Sequence, residues 1–219
     1  MNELMERVQR RLDAWDDRPV IIEYRPGGSV LAVDARTLWE RIVAAEAMFW
    51  KWGVRKGHLV CLFLHNSTDS VIALLALFHL EAVPVPVKME YRKLELAELF
   101  ANARPQAVVC ESSHLPFVRD HLRGNLLIAH DAEGFSLFAG GESPLEPPEV
   151  DPRASLILYT YRGYGYPLGA IIGEQQLLHG TDRLQEGDYK SPQDSLLVVL
   201  PLVHIFSIIS CLLFPMLYK

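Results

Sequence analysis

A chain of 219 residues, 50% hydrophobic and 22% charged, has the balance of a folded globular protein and material for one large domain or two small ones. Its 21 Lys and Arg against 27 Asp and Glu give a formal charge of −6, and no basic run marks a nucleic-acid or anionic-membrane surface, so neither partner is expected. Cys61, Cys110 and Cys211, an odd number set in apolar runs, suit buried reduced thiols and a cytoplasmic location better than a disulfide framework.

The first seventeen residues carry Glu3, Glu6, Arg7, Arg10, Arg11 and Asp13 and so lack the apolar stretch of a signal peptide; Leu4, Val8, Leu12 and Trp15 predict an amphipathic helix instead. Pro19–Tyr24 and Ser29–Val33, separated by Pro26-Gly27-Gly28, read as a hairpin. Asp34 can cap a helix over 35–52, where Leu38, Ile42, Ala45, Phe49 and Trp52 recur at helical spacing and Gly53 suits a left-handed terminus.

Leu59–Leu64 is a short continuous apolar run, the pattern of a strand buried on both faces, and Asn66 and Ser67 offer caps for a helix over Thr68–Leu80. Ala82–Val87 is extended, and Pro84 and Pro86 restrict it to an edge, a strand end or a turn. Helix 90–103, strand 106–111, a short helix near 115–122 and strand 126–130 continue the alternation, which implies βαβ units. The fold class read from this order is α/β, with largely parallel sheets flanked by helices. A first α/β unit over 1–139 is followed by a Pro- and Glu-rich connection over 140–153 and a second α/β segment over 154–219. The last contains strand 154–160, a glycine-rich turn, Ala170-Ile-Ile172 and a helix over 174–184.

A strand followed by glycines is what phosphate binding needs, because glycines let backbone N–H groups approach an anion. Gly163, Gly165 and Gly169 provide them, but as a bare pattern this is a near miss to the dinucleotide fingerprint and reads as a surface loop; Pro167 and Ile171-Ile172 also argue against a helix starting there. His58, His65, His79, His114, His121, His130 and His179 form no metal-ligand spacing, so no metal site is assigned, and no serine-hydrolase elbow is present.

Several segments match one family in order. Trp52-Gly-Val-Arg-Lys-Gly57, Leu64-His-Asn66, Val71–Ala76 and Glu81-Ala-Val-Pro-Val-Pro86 resemble the opening of the ANL superfamily of adenylate-forming enzymes, which comprises acyl-CoA synthetases, adenylation domains and luciferases. Leu158–Gly169 stands where that family carries its phosphate loop, and Leu200–Phe206 is similar to its later pocket motif. The resemblance implies an amino-terminal α/β domain that binds ATP or AMP with Mg and a small carboxylic acid, forms an acyl adenylate with release of pyrophosphate, and passes the acyl group to a thiol acceptor. By position it assigns Thr160, Arg162, Gly163, Gly165 and Gly169 to the nucleotide and His204 to the acyl site; the alternative for His204 is a core histidine beside Pro201. No catalytic residue is assigned.

The chain departs from the pattern. Tyr161 stands for the family's Ser, Arg162 for Gly, Gly163 and Tyr164 for two Thr, and Leu168 for Lys, which removes hydroxyls and an ammonium that would hold phosphate oxygens. Lys219 precedes the family's adenine and ribose motifs and its small domain with the catalytic Lys. Two readings follow: the amino-terminal part of an acyl-activating ligase, not competent as this chain alone, or a non-catalytic scaffold that binds or recruits a partner. Leu196–Tyr218 is 23 residues without formal charge, long enough to cross a bilayer, but Pro201, Pro215 and the resemblance favour a buried strand over Leu196–Pro201 followed by a buried helix. Apolar surface there is expected to be covered in a homodimer.

Overall fold

Hydrophobic spacing near the amino terminus becomes helix α1 (Glu3–Asp13), which buries Leu4, Met5, Val8 and Leu12 and is capped by Asn2, whose side chain accepts from Met5 N at 3.0 Å. The computed structural model describes residues 2–122, 125–140, 150–161, 167–187 and 195–218. Strands β1 (Ile21–Tyr24) and β2 (Val30–Val33) form the expected antiparallel hairpin. Helix α2 (Ala35–Trp52) has its expected limits for the expected reasons: Asp34 Oδ1 accepts from Thr37 N at 2.7 Å, and Gly53 closes the helix at φ +114°, a conformation that glycine adopts without Cβ strain.

Then follow β3 (Leu59–Phe63), α3 (Thr68–His79), β4 (Val83–Pro86), α4 (Lys93–Ala103), β5 (Ala107–Glu111), α5 (Leu115–His121), β6 (Leu126–Asp131) and β7 (Gly134–Ala139). They build a five-stranded sheet in the order β4-β3-β5-β6-β7, parallel except for β7. The antiparallel β7 is not foreseen by the alternation of strands and helices. Pro84 and Pro86 hold an edge as expected: Val83 N and Val87 N donate to the carbonyls of His58 and Leu62, both at 2.8 Å, so the intervening imide nitrogens face away from β3.

Side-chain alternation in β3 divides the interior into two layers. Val60 and Leu62 join a core with α1, α2 and α3, whereas Leu59, Cys61 and Phe63 join a second core with α4 and α5. Helix α3 is apolar on every side, with Val71 to Phe78 all buried, as befits a helix enclosed in the interior. The remaining elements are β8 (Ala154–Tyr161), β9 (Pro167–Gly173), α6 (Glu174–Glu186), a π-helix over Ser207–Leu213 and α7 (Phe214–Tyr218). Leu177, Ile208, Leu212 and Met216 pack into the first core with α1.

Two expectations for this end change. Leu196–Pro201 is irregular backbone rather than a buried strand, with Leu197 and Val199 78% and 74% exposed. The helix after it is buried along Ile208, Leu212, Leu213 and Phe214 but widened into π form. No helix among the described residues is long and apolar enough to cross a membrane. Cys61 and Cys110 are buried thiols, while Cys211 is half-buried.

Gln106 organises the start of the sheet. Its backbone N donates to Leu59 O at 2.9 Å, its Oε1 accepts from Leu59 N at 2.7 Å, and its Nε2 donates to Arg104 O at 3.2 Å. Substitution Gln106→Leu leaves a buried amide N–H unpaired and is expected to lower stability by about 1–2 kcal/mol in urea unfolding.

Candidate functional site

In an open α/β sheet, ligands bind beyond the carboxyl ends of the parallel strands. Here the end of β3 leads into His65, Asn66 and the start of α3, and the end of β5 is Glu111. Glu111 accepts from His65 N at 3.0 Å and lies 2.6 Å from His65 Nδ1. Burial works to raise its carboxyl, but these hydrogen bonds and the neighbouring His65 and His114 outweigh it and hold the group below its ordinary value. At the end of β6, His130 Nε2 meets Asp69 Oδ2 at 3.0 Å, and the same carboxylate pairs with Arg41 of α2. The Asp69 carboxyl is therefore lowered, chiefly by the His130 bond, against the opposing effect of burial.

Asn66 does more than the helix capping read from sequence, which Ser67 performs. Its Nδ2 donates to Leu200 O at 2.8 Å and its Oδ1 accepts from Leu202 N at 2.9 Å. Both ends of one amide thus clamp the irregular segment leading to His204 onto the carboxyl end of β3. Only a local cap could be foreseen, because the clamped backbone is 134 and 136 residues away in sequence. His204 is exposed, which corrects the core alternative. Its N–H donates to Pro201 O at 3.3 Å and its carbonyl accepts from Ile208 N at 3.1 Å, leading into the π-helix.

The glycine-rich turn connects two strands. Strands β8 and β9 pair antiparallel, with Tyr159 opposite Gly169, Thr160 opposite Leu168 and Tyr161 opposite Pro167. Arg162, Gly163 and Gly165 lie outside the described residues. Helix α6 begins only after β9, at Glu174, so among the described residues no helix N-terminus directly follows β8. Thr160 is exposed at the strand end, and Leu168 opposite it is also exposed. Thr160 and His204 share no hydrogen bond.

Gly169 has a packing reason for its identity. A Cβ there would come within 3.0 Å of Ile157 Cγ2 and 3.1 Å of Tyr159 Cζ, so the tyrosine ring covers the position. Tyr159 is itself fixed, its hydroxyl donating to Asn102 Oδ1 at 2.6 Å. Burial, with a smaller effect from Cys61, pushes its phenol up to about 12, which keeps it a neutral donor at physiological pH.

The sequence profile of AMP-binding enzymes matches residues 8–218, nearly the whole chain. The chain belongs to the AMP-binding enzyme family. Among its relatives in this family, a sulfoacetate–CoA ligase of Cupriavidus necator is 25% identical over 95% of the chain and 42% of its own length. A 4-coumarate–CoA ligase of Narcissus pseudonarcissus is 26% identical over 93% of the chain and 39% of its own length. The ATP-bound crystal structure of MatB from Rhodopseudomonas palustris superposes with a TM-score of 0.76 at 20% identity, covering 96% of this chain and 43% of that one. The chain thus spans about two fifths of the length of these relatives. At such identity the structural likeness is one of fold, and it agrees with the α/β class and the mostly parallel central sheet of this chain. The turn between β8 and β9 and the Leu200–Phe206 segment are the places where sequence reasoning looks for the nucleotide and for the acyl group.

Proposed function

We propose that the chain is the amino-terminal part of a cytoplasmic, ATP-dependent acyl-activating ligase. In the reaction a carboxylate oxygen attacks the α-phosphate, pyrophosphate leaves, and the acyl group passes from the adenylate to a thiol. Catalysis of this kind rests mainly on positioning and on neutralising phosphate charge. The observation that carries the reading is the family match over residues 8–218, which includes a hairpin whose strand end presents Thr160 beside the glycine-rich turn. In this reading the Thr160 hydroxyl and the turn's backbone N–H groups, at Gly163 and Gly165, hold phosphate oxygens, and Arg162 supplies a positive charge. Gly169 supports the turn through its close packing on Tyr159, and His204 lines the carboxylate site.

The described flank of the turn fits a nucleotide only in part. Thr160 offers a hydroxyl at the strand end, but Leu168 is 41% exposed without offering a charge. Among the described residues no group of three or more His, Cys, Asp or Glu could hold a metal ion, so magnesium would arrive on the nucleotide, where it shields phosphate charge. The exposed Leu168 also favours a second reading, in which the scaffold binds a small acid or a partner without turnover. A homodimer is part of either reading.

The test is calorimetric titration of the chain with Mg-ATP, paired with a pyrophosphate-release assay over a panel of carboxylic acids. Saturable one-to-one binding, weakened about tenfold or more by Thr160→Val or Arg162→Ala, is the result expected if the turn holds phosphate. No heat at millimolar nucleotide would overturn that assignment and leave the non-catalytic scaffold. This chain alone is expected to release no pyrophosphate above the blank, and release would overturn that expectation.

A further inference from the structure

The segment that carries His204 is held at two places. At its start, Asn66 Nδ2 donates to Leu200 O at 2.8 Å and Asn66 Oδ1 accepts from Leu202 N at 2.9 Å. Beyond it, Ser207 and Ile208 are fully buried, and Ile209 seats so closely on α6 that a Cβ at Gly180 would come within 2.8 Å of its Cδ1. Val203 to Phe206 bridge these points, with His204, Ile205 and Phe206 exposed. The His204 N–H donates to Pro201 O at 3.3 Å, and Pro201 lies between the two residues that Asn66 grips. A displacement of the clamped backbone is therefore passed directly to His204.

Asn66 is itself braced on both sides. One residue earlier, His65 N donates to Glu111 Oε1 at 3.0 Å; one residue later, Ser67 N donates to Ser70 Oγ at 2.9 Å and Ser70 N donates to Ser67 Oγ at 3.1 Å. A side chain whose flanking backbone is fixed in this way holds the segment instead of following it. The pairing also dictates the residue type. Leu200 O can only accept and Leu202 N can only donate, so their partner needs one donor and one acceptor on a short stem. Asparagine supplies both, whereas an aspartate carboxylate would set an acceptor against the Leu200 carbonyl and glutamine is a methylene too long.

We infer that Asn66 is the positioning residue for His204, setting through Leu200, Pro201 and Leu202 where the imidazole stands to meet a carboxylate. The carboxylate rests on the proposed function; the positioning rests on the hydrogen bonds alone.

Two measurements on the purified chain test this: the His204 imidazole resonances during titration with benzoate at pH 7, and hydrogen exchange of the Leu202 and His204 amides. Benzoate is expected to bind the parent saturably and to move the His204 resonances. Asn66→Ala should weaken that binding about tenfold or more and speed exchange at both amides by a similar factor, the loss of two hydrogen bonds. Gln106→Leu, destabilising but at the amino end of the sheet, should change neither. Asn66→Asp should behave like Asn66→Ala at pH 7 and return to the parent's exchange, compared at equal pH, below about pH 4. Once protonated, the introduced carboxyl donates to Leu200 O and accepts from Leu202 N as the amide did. Its neutral form makes the bridge, so its folded value is raised; the clamp is complete below the ordinary value and lost as pH rises through the raised one. Exchange in Asn66→Ala equal to the parent's, or no recovery of Asn66→Asp in acid, would overturn the inference. Should Asn66→Ala lose its circular-dichroism spectrum, the acid recovery of Asn66→Asp decides. Benzoate that leaves the parent's His204 unmoved would overturn the carboxylate site of the proposed function, while the exchange ratios still decide whether Asn66 sets the segment.

Discussion

Replacing Phe49 by alanine is expected to lower the unfolding free energy by about 3–5 kcal/mol, the largest loss foreseen for a single side chain in this fold. Phe49 is fully buried on α2, 5.4 Å between ring centroids from Phe135 of β7 and 6.2 Å from Trp52. Its removal opens a cavity at the junction of the amino-terminal helices with the antiparallel end of the sheet, where neither backbone can close the gap without leaving its own ladder. In urea the midpoint should fall by roughly 1–2 M with an unchanged slope. A fall of less than half that would mean that the Phe135 side of the core collapses onto the vacancy.

Asp69→Ala is expected to cost about 2–4 kcal/mol at neutral pH, since it strips one carboxylate from both Arg41 and His130 and so unties α2, α3 and β6 together. Its acid behaviour identifies the cause. The carboxyl is held below its ordinary 3.8, mainly by the His130 hydrogen bond and further by the charges of Arg41, His130 and Arg25, so the folded state binds its proton less tightly than the unfolded state does. This contribution is complete above the ordinary value and is lost as pH falls through the lowered one. Stability curves of the parent and Asp69→Ala should converge below about pH 4, a limit set by the ordinary aspartate value. A gap that persists undiminished in acid would assign the loss to packing.

Local signals made much of this fold legible. Helix α2 could be bounded because three independent signals agree: apolar spacing, the Asp34 cap and the left-handed Gly53. Strand β7 could not, since Gly134–Ala139 follows a turn of only a few residues and three of its members face solvent, leaving little hydrophobic pattern to read. The apolar run at 196–201 points to burial because apolar runs usually are buried, whereas its backbone is irregular; the Asn66 bonds to Leu200 and Leu202 that hold its end are long-range, and no local pattern encodes them. The site divides in the same way. The glycine-rich turn and His204 are visible as motifs, whereas the packing of Gly169 under Tyr159 and the His65–Glu111 contact depend on register and on a partner strand.

Pro84 and Pro86 decide where hydrogen bonding stops. Strand β8 runs close alongside β4, yet it pairs with β9 and contributes nothing to the five-stranded ladder. The outward rim of β4 offers carbonyl acceptors at both prolines and no donor at either, so a neighbour approaching it finds only half of a ladder. Among the described residues the two sheets therefore share no ladder, although they lie side by side in one interior. Because β8 covers that rim and β4 is buried along its whole length, the half-ladder left by the prolines faces the interior of the fold rather than solvent.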